Sequence, residues 1–155
     1  MVQPPRPQAP TLEPFVYEIR SLSPSYSFGL EQDQHAPDLY REHQSIRFVG
    51  RCRYPDRFRG RDAQVHLLGK RGLIEKDRPR TSDWSPRCIA ALVASKTTFE
   101  ILGGLPADAC WHVGTAIAAG SIRYMLTKGT AFHGGESLLH SISFEGSEFD
   151  PAGPF

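Results

Sequence analysis

The chain has 155 residues, a formal net charge of +1 and 23% charged residues, which fits one ordinary soluble globular domain. Its three cysteines, Cys52, Cys88 and Cys110, are too few and too widely spaced for a disulfide framework. No window approaches the roughly 20 apolar residues that span a bilayer, and the first residues lack the apolar run of a secretory signal. We therefore expect a cytoplasmic protein without membrane contact.

Charge is distributed unevenly along the chain. Residues 41–87 contain 13 Lys and Arg against 6 Asp and Glu, whereas residues 1–40 and 88–155 are each net acidic by three charges. This distribution suits internal charge pairing, or contact between copies of the chain, at least as well as binding to a polyanion. Because 14 of the 18 basic residues are arginines, their number is partly a matter of composition, but their clustering is not.

Both ends of the chain have an unusual composition. Residues 1–14 contain five prolines and predict an extended arm without a core of its own, which should lie on its own domain or on a neighbour. Residues 150–155 form a similar tail. This leaves residues 15–149 as a single β-rich domain.

In the first half of the chain, apolar residues alternate with polar ones, as in strands with one buried face. This pattern predicts strands at 15–20, 45–54 and 63–70. Residues 21–34 are predicted as loop, with a short strand at 26–30 as an alternative, and residues 37–43 predict one or two helical turns. Proline, aspartate and glycine at 55–60 predict a turn, so the strands on either side should form a hairpin.

Polar residues 71–86 predict a surface loop. The short apolar run 87–94 fits either a helix or a buried strand. We favour the strand, because residues 95–97 then close a hairpin onto a strand at 98–102.

Residues 106–119 carry the better helix signal. Pro106 and Asp108 suit the first turn of a helix, and Gly120 suits the position after its end. The alternative is a strand with Trp111 and Val113 on one side. Two further strands are predicted at 121–127 and 137–145, the second with Leu138, His140, Ile142 and Phe144 on one face.

Together these elements predict an α+β fold that is predominantly antiparallel β, either sandwich-like or a curved sheet, with one helix packed near 106–119. Large apolar side chains of the second half form the predicted core. They are Trp111, Val113, Ile117, Ile122, Tyr124, Leu126, Ile142 and Phe144.

Arginines cluster in the predicted hairpin. Residues 47–61 contain six arginines, all at odd positions, so Arg47, Arg51 and Arg53 should share one face of a strand. Guanidinium groups offer paired donors to carboxylates and phosphates, and aromatic rings nearby can stack on them. The candidate residues for binding a partner or an anion are Arg47, Arg51, Arg53, Tyr54, Arg57, Phe58, Arg59, Arg61 and, as an interface anchor in the polar loop, Trp84.

Four interpretations of this cluster stay open. In the first, it is a solvated strand face that Asp56 and Asp62 partly neutralise. In the others, it docks the acidic surface of a protein partner, binds single-stranded nucleic acid through phosphate neutralisation and stacking, or binds a small phosphorylated ligand.

Motifs of catalysis and cofactor binding are absent from the sequence. No His-Glu-x-x-His, Cys-x-x-Cys, Gly-x-Ser-x-Gly or phosphate-binding glycine loop occurs, so we expect no cofactor and no metal. The nearest candidates for a metal or catalytic site are His133, Glu136 and His140, around two glycines, with His112 from the predicted helix.

The sequence therefore favours a non-catalytic β-rich interaction module, a subunit of a homo- or hetero-assembly that docks an acidic partner through the hairpin 47–61. A nucleic-acid-associated protein that uses the same hairpin is the first alternative. An enzyme or metal protein centred on His133, Glu136 and His140 is the second.

Overall fold

A computed structural model describes residues 11–70 and 89–147. Within them, the elements in chain order are β1 (Glu13–Leu30), β2 (Tyr40–Tyr54), β3 (Asp62–Lys70), β4 (Ala90–Ala94), β5 (Thr98–Pro106), α1 (Ala107–Ala118), β6 (Tyr124–Gly129) and β7 (Glu136–Glu145). A 3₁₀ turn, Asp56–Phe58, connects β2 to β3. Most of the Pro-rich arm, the polar loop with Trp84, and the tail lie outside the described residues.

The seven strands close into a barrel in the order β1-β2-β3-β5-β4-β7-β6. Neighbouring strands are antiparallel except β3 and β5, which run parallel. The predicted fold class, mainly antiparallel β with one packed helix, is confirmed, and the curved sheet closes on itself. Glu13 and Pro14 already pair with β6, so the barrel begins two residues earlier than predicted.

Every second side chain along a strand points inward, and these side chains fill the interior of the barrel. Ile46, Phe48 and Cys52 point inward from β2 and are buried, whereas Arg47 and Arg51 are exposed, as the odd spacing predicts. The β2–β3 hairpin is also confirmed, with pairing from Ser45↔Leu68 to Arg51↔Asp62. The buried core draws on every strand and on the helix.

The helix α1 lies over one end of the barrel. Cys110 and Gly114 are its buried residues, and a Cβ added to Gly114 would lie 3.0 Å from Cγ2 of Ile46. Val113 and Ile117 pack against the core beside them, which confirms a helix over this segment. Trp111 lies outside this buried face and is 52% exposed, so its predicted place in the core is wrong.

Four phenylalanines close the opposite end of the barrel. Phe15, Phe58, Phe99 and Phe132 come from β1, the 3₁₀ turn, β5 and the β6–β7 connection, with ring centres 5.2–6.2 Å apart. Stacked and edge-to-face pairs alternate in this cluster, as the quadrupoles of aromatic rings favour.

Two local predictions in the first half are wrong. Residues predicted as loop after Arg20 continue β1 to Leu30, and residues predicted as helical turns begin β2 at Tyr40. Pairing between the two strands, from Ser21↔Val49 to Leu30↔Tyr40, overrides the weak local preferences of serine, glycine and proline. Pro24 is tolerated because β1 has no second neighbour here in the described part of the chain.

A register shift also changes the inward face of β7. Gly129 pairs with Leu139 but Lys128 pairs with Ser141, so His140 is an extra residue in the strand. Leu139 is consequently buried together with the inward-facing Ile142 and Phe144, in place of the simple alternation that the sequence predicts.

Candidate interaction surface

Most of the hairpin arginines form ion pairs with carboxylates of their own fold. The pairs are Arg51–Asp62, Arg53–Glu18, Arg57–Glu13 and Arg59–Asp56. Nη1 of Arg53 donates to Oε2 of Glu18 at 2.7 Å, and this hydrogen bond lowers the pKa of Glu18 from its ordinary value. The acidic residues of β1 thus neutralise part of the basic segment within one molecule.

Arg61 packs on two aromatic rings at the end of the barrel that the phenylalanines close. Its guanidinium carbon lies 4.9 Å from the ring centres of both Phe58 and Phe99, and Nη1 donates to the carbonyl of Ser95 at 3.3 Å. Arg57 lies 4.8 Å from the centre of the Phe58 ring. These cation–π contacts hold the 3₁₀ turn against the barrel.

Arg47 differs from the other five. It is exposed on the barrel wall, pairs across strands with His66, and forms no ion pair within the described ranges. Burial lowers the pKa of His66, and the neighbouring charges of Arg47 and His43 add to this effect. Docking through the hairpin stays a prediction, although five of its six arginines are engaged inside the fold.

The candidate metal residues do not come together. His133 and Glu136 face each other in a backbone bridge, His140 lies further along β7, and His112 lies on α1 at the opposite end of the barrel. Among residues 11–70 and 89–147, no group of three or more His, Cys, Asp or Glu side chains is arranged to hold a metal ion.

The two described cysteines, Cys52 and Cys110, are free and buried. Burial raises the pKa of Cys52 to about 11 and also raises the pKa of Cys110. Sγ of Cys52 donates to the carbonyl of Tyr54 at 3.2 Å. Neither group is a thiolate at neutral pH, so neither is suited to act as a nucleophile.

Beyond the barrel, β1 and β2 continue as a two-stranded ribbon, residues 25–30 and 40–44. Pairing of β1 with β6 ends at Glu18, and pairing of β2 with β3 begins at Ser45. Within the described part of the chain, the outer edges of the ribbon therefore carry no further strand. Two-stranded hairpins are marginally stable in water unless something packs on them.

One face of the ribbon exposes large apolar side chains. Tyr26, Phe28 and Leu30 alternate along β1 and are 54%, 62% and 72% exposed. The rings of Phe28 and Tyr40 stack at 5.5 Å, and Trp111 of α1 meets Tyr26 edge to face at 6.2 Å. We call this set the apolar surface: Tyr26, Phe28, Leu30, Leu39, Tyr40 and Trp111.

A cleft separates the ribbon from the start of α1. Its volume is about 350 Å³, and it is lined by Tyr26, Gln44, Ala107, Asp108, Trp111 and His112. A second, larger depression of about 760 Å³ continues along the ribbon. Among the described residues, the walls of the two carry four carboxylates, Glu31, Asp38, Glu42 and Asp108, and one arginine, Arg41.

Sequence reasoning missed this surface for two reasons. The residues around Tyr26 were predicted as mostly loop, and Trp111 was predicted as core. The alternation of Tyr26, Phe28 and Leu30 was the available signal, but it does not reveal whether the apolar face is covered. Trp84, the predicted interface anchor, lies outside the described residues.

No protein-family model matches the chain, and neither the curated proteins nor the solved structures contain a match to it. Within the described ranges, the 12-residue α1 is the only α-helix, and no helix has the length and apolar character needed to cross a bilayer. The class of protein is therefore defined by its architecture, a closed seven-stranded β-barrel with a helix over one end.

Proposed function

We propose that the protein is a non-catalytic interaction module, a cytoplasmic subunit of a homo- or hetero-assembly, and that it docks its partner through the apolar surface. The observation that carries the proposal is the row of large apolar side chains exposed side by side on the ribbon and on α1. Single exposed apolar residues are ordinary, but a contiguous patch of this kind is typical of an interaction site.

The physical argument concerns both the ribbon and its side chains. Moving a large apolar side chain fully out of water is worth about 1.5–3 kcal/mol, and Phe28, Leu30 and Tyr40 are each more than half exposed. A partner that covers them gains this burial energy. The same partner is also able to pair with the open edge of β1 by adding a strand.

The ribbon edge of β1 has the composition of a docking edge. From Ser21 to Leu30 the strand contains no charged residue, whereas β2 presents Arg41, Glu42 and His43 along its own edge. Natural edge strands are usually protected by charges or by proline, so the part of β1 after Pro24, which contains neither, is the part that favours pairing with another chain.

The arginine hairpin supports docking less strongly. Four of its arginines are paired with carboxylates of the same chain, and Arg61 is stacked on two rings. Binding nucleic acid through the hairpin would require breaking these interactions before phosphates are contacted. We therefore place the docking site at the opposite end of the barrel, where α1 meets the ribbon.

Site-specific photo-crosslinking tests the proposal. Phe28 and, separately, Tyr40 are replaced by benzoylphenylalanine in the full chain, and the cells that produce it are irradiated. We expect one discrete cross-linked species from each position, which disappears when Leu30→Ser is added. Gln64, exposed on the barrel wall, is the matched control position and should give none.

The mass of the cross-linked species then shows whether the partner is a second copy or a different protein. If Phe28 and Tyr40 give no more product than Gln64, the apolar surface is not a docking site and the proposal fails.

A further inference from the structure

The cleft beside α1 has an aromatic corner at its centre. The rings of Tyr26 and Trp111 lie 6.2 Å apart at an interplanar angle of 70°, and both residues are about half exposed. Two electron-rich ring surfaces that meet at a steep angle form two walls of a site for an organic cation. The remaining lining residues are polar or small, so the corner is open to a side chain that enters from solvent.

Negative charge surrounds this corner. Asp108 stands in the first turn of α1, three residues before Trp111, and lines the same cleft. The hydroxyl of Tyr26 donates to Oε2 of Glu42 at 3.2 Å, which places a second carboxylate at the hydroxyl end of the ring. Glu31 and Asp38 lie further along the ribbon, and the described residues that line the two cavities, which include four carboxylates and Arg41, have a net formal charge of −3.

The negative charge of the cleft favours some classes of ligand over others. An anion is repelled, and a purely apolar segment would leave Asp108 without a partner in the interface. A metal ion needs three or more ligands, whereas the cleft offers Asp108 and His112, and no such cluster occurs in the described residues. A guanidinium group stacks on Trp or Tyr and binds a carboxylate at the same time.

We infer that the cleft binds the arginine side chain of a basic, apolar segment of a partner protein, with the guanidinium in the corner that the Tyr26 and Trp111 rings form and paired with Asp108. This inference rests on the proposed function and names the chemistry of the partner. Apolar residues that flank the arginine cover Phe28, Leu30 and Tyr40 along the ribbon, each of which is more than half exposed.

A matched pair of peptides tests the inference. Each is a blocked five-residue peptide that alternates leucine with arginine, or leucine with citrulline, the neutral isostere of arginine. The full chain carries Trp84→Phe, which leaves Trp111 as its only tryptophan, and Trp111 fluorescence is titrated. We expect saturable binding of the arginine peptide and at least about tenfold weaker binding of the citrulline peptide, since neutral citrulline loses the charge-assisted bond to Asp108 and the cation–π contact.

Substitutions identify the groups involved. Asp108→Asn should weaken binding of the arginine peptide about fivefold to tenfold, and Asp108→Glu, which keeps the charge, should retain most of it. Glu100→Gln, an exposed carboxylate on the barrel wall, is the matched control and should change nothing. Circular dichroism of each variant shows that the fold is kept.

Equal affinity for the arginine and citrulline peptides would overturn the inference, as would binding that Asp108→Asn leaves unchanged. A Trp111 signal produced by Mg²⁺ or Zn²⁺ alone would also overturn it in favour of a metal site. Failure here together with a crosslink from Phe28 removes the arginine ligand but keeps the docking surface. Peptide binding without that crosslink removes the proposed function but keeps the cation site.

Discussion

The guanidinium carbon of Arg61 lies 4.9 Å from the centre of the Phe99 ring. Arg61 precedes β3 and Phe99 belongs to β5, so this contact joins two neighbouring parallel strands at the aromatic end of the barrel. The same guanidinium covers Phe58 of the 3₁₀ turn. An arginine that the sequence presents as a binding group thus stabilises the closure of the barrel.

Replacing Arg61 should therefore cost stability. We expect Arg61→Ala to lower the free energy of unfolding by about 1–2 kcal/mol, because a partly buried cation–π contact and the bond to Ser95 are lost. Arg61→Lys should recover only part of this, since an ammonium does not stack as a plane. Arg47→Ala, on the exposed wall, should stay within about 0.5 kcal/mol. Urea unfolding measures all three, and equal values for Arg61→Ala and Arg47→Ala would contradict the structural role.

The ion pair between Glu18 and Arg53 should make the free energy of unfolding depend on pH in the acid range. The pKa of Glu18 is lowered from 4.5, mainly by the hydrogen bond from Arg53, so the folded chain favours the ionised carboxylate. Its contribution is present above the ordinary pKa and is lost as the pH falls through the folded pKa. Both side chains are partly exposed, so we expect Glu18→Gln to cost about 0.5–1 kcal/mol at pH 7.

The cost should vanish at a pH below the lowered, folded-state pKa of Glu18, where the carboxyl group is neutral like the glutamine that replaces it. Urea unfolding of the wild type, Glu18→Gln, Arg53→Gln and the double variant at pH 7 and at the acid end gives the coupling energy. A coupling that is independent of pH would exclude an ionic contribution from this pair.

His66 should make the stability of the fold depend on pH in a higher range than Glu18 does. Burial, and then the charges of Arg47 and His43, lower its pKa from 6.5, and its Nε2 is buried without a hydrogen-bond partner among the described residues. The folded chain therefore favours neutral imidazole, while the unfolded chain takes up a proton near its ordinary pKa. Stability should fall as the pH drops through 6.5 towards the folded pKa, and this loss should not grow further below it.

We expect His66→Leu to flatten this part of the stability profile. Arg47→Gln should reduce the slope without removing it, because burial is the larger cause of the lowered pKa. Urea midpoints between pH 7.5 and 5.5 provide the measurement. An unchanged slope in His66→Leu would assign the pH dependence to other groups.

Gly103 tests how tightly the barrel interior is packed. A Cβ at this position would lie 2.5 Å from Cβ of Ala90 and 3.1 Å from the carbonyl oxygen of Ile89. We expect Gly103→Ala to lower the free energy of unfolding by about 1–3 kcal/mol through overpacking. Gly29→Ala, where a Cβ meets nothing within 4 Å, is the matched control and should stay within about 0.5 kcal/mol. Thermal and urea unfolding compare the two, and a neutral Gly103→Ala would mean that β4 and β5 separate easily.

Features that depend on local spacing could be predicted from the order of the residues alone. Period-two alternation identified the central strands, and it correctly turned Ile46 and Phe48 inward and Arg47 outward. Pro106, which caps the start of α1, and Gly120, with a φ of +78°, marked the ends of the helix because their backbone preferences act within a single turn.

The register of the strands and the partners of their outward faces became visible only in the folded barrel. His140 shifts the register of β7, the ribbon continues because two strands pair, and Arg53 meets Glu18 across 35 residues of chain. These outcomes follow from barrel closure, which brings distant segments together at positions that no local spacing encodes. The same closure left Trp111 beside Tyr26 in solvent instead of in the core, and thereby formed the surface on which the proposed function depends.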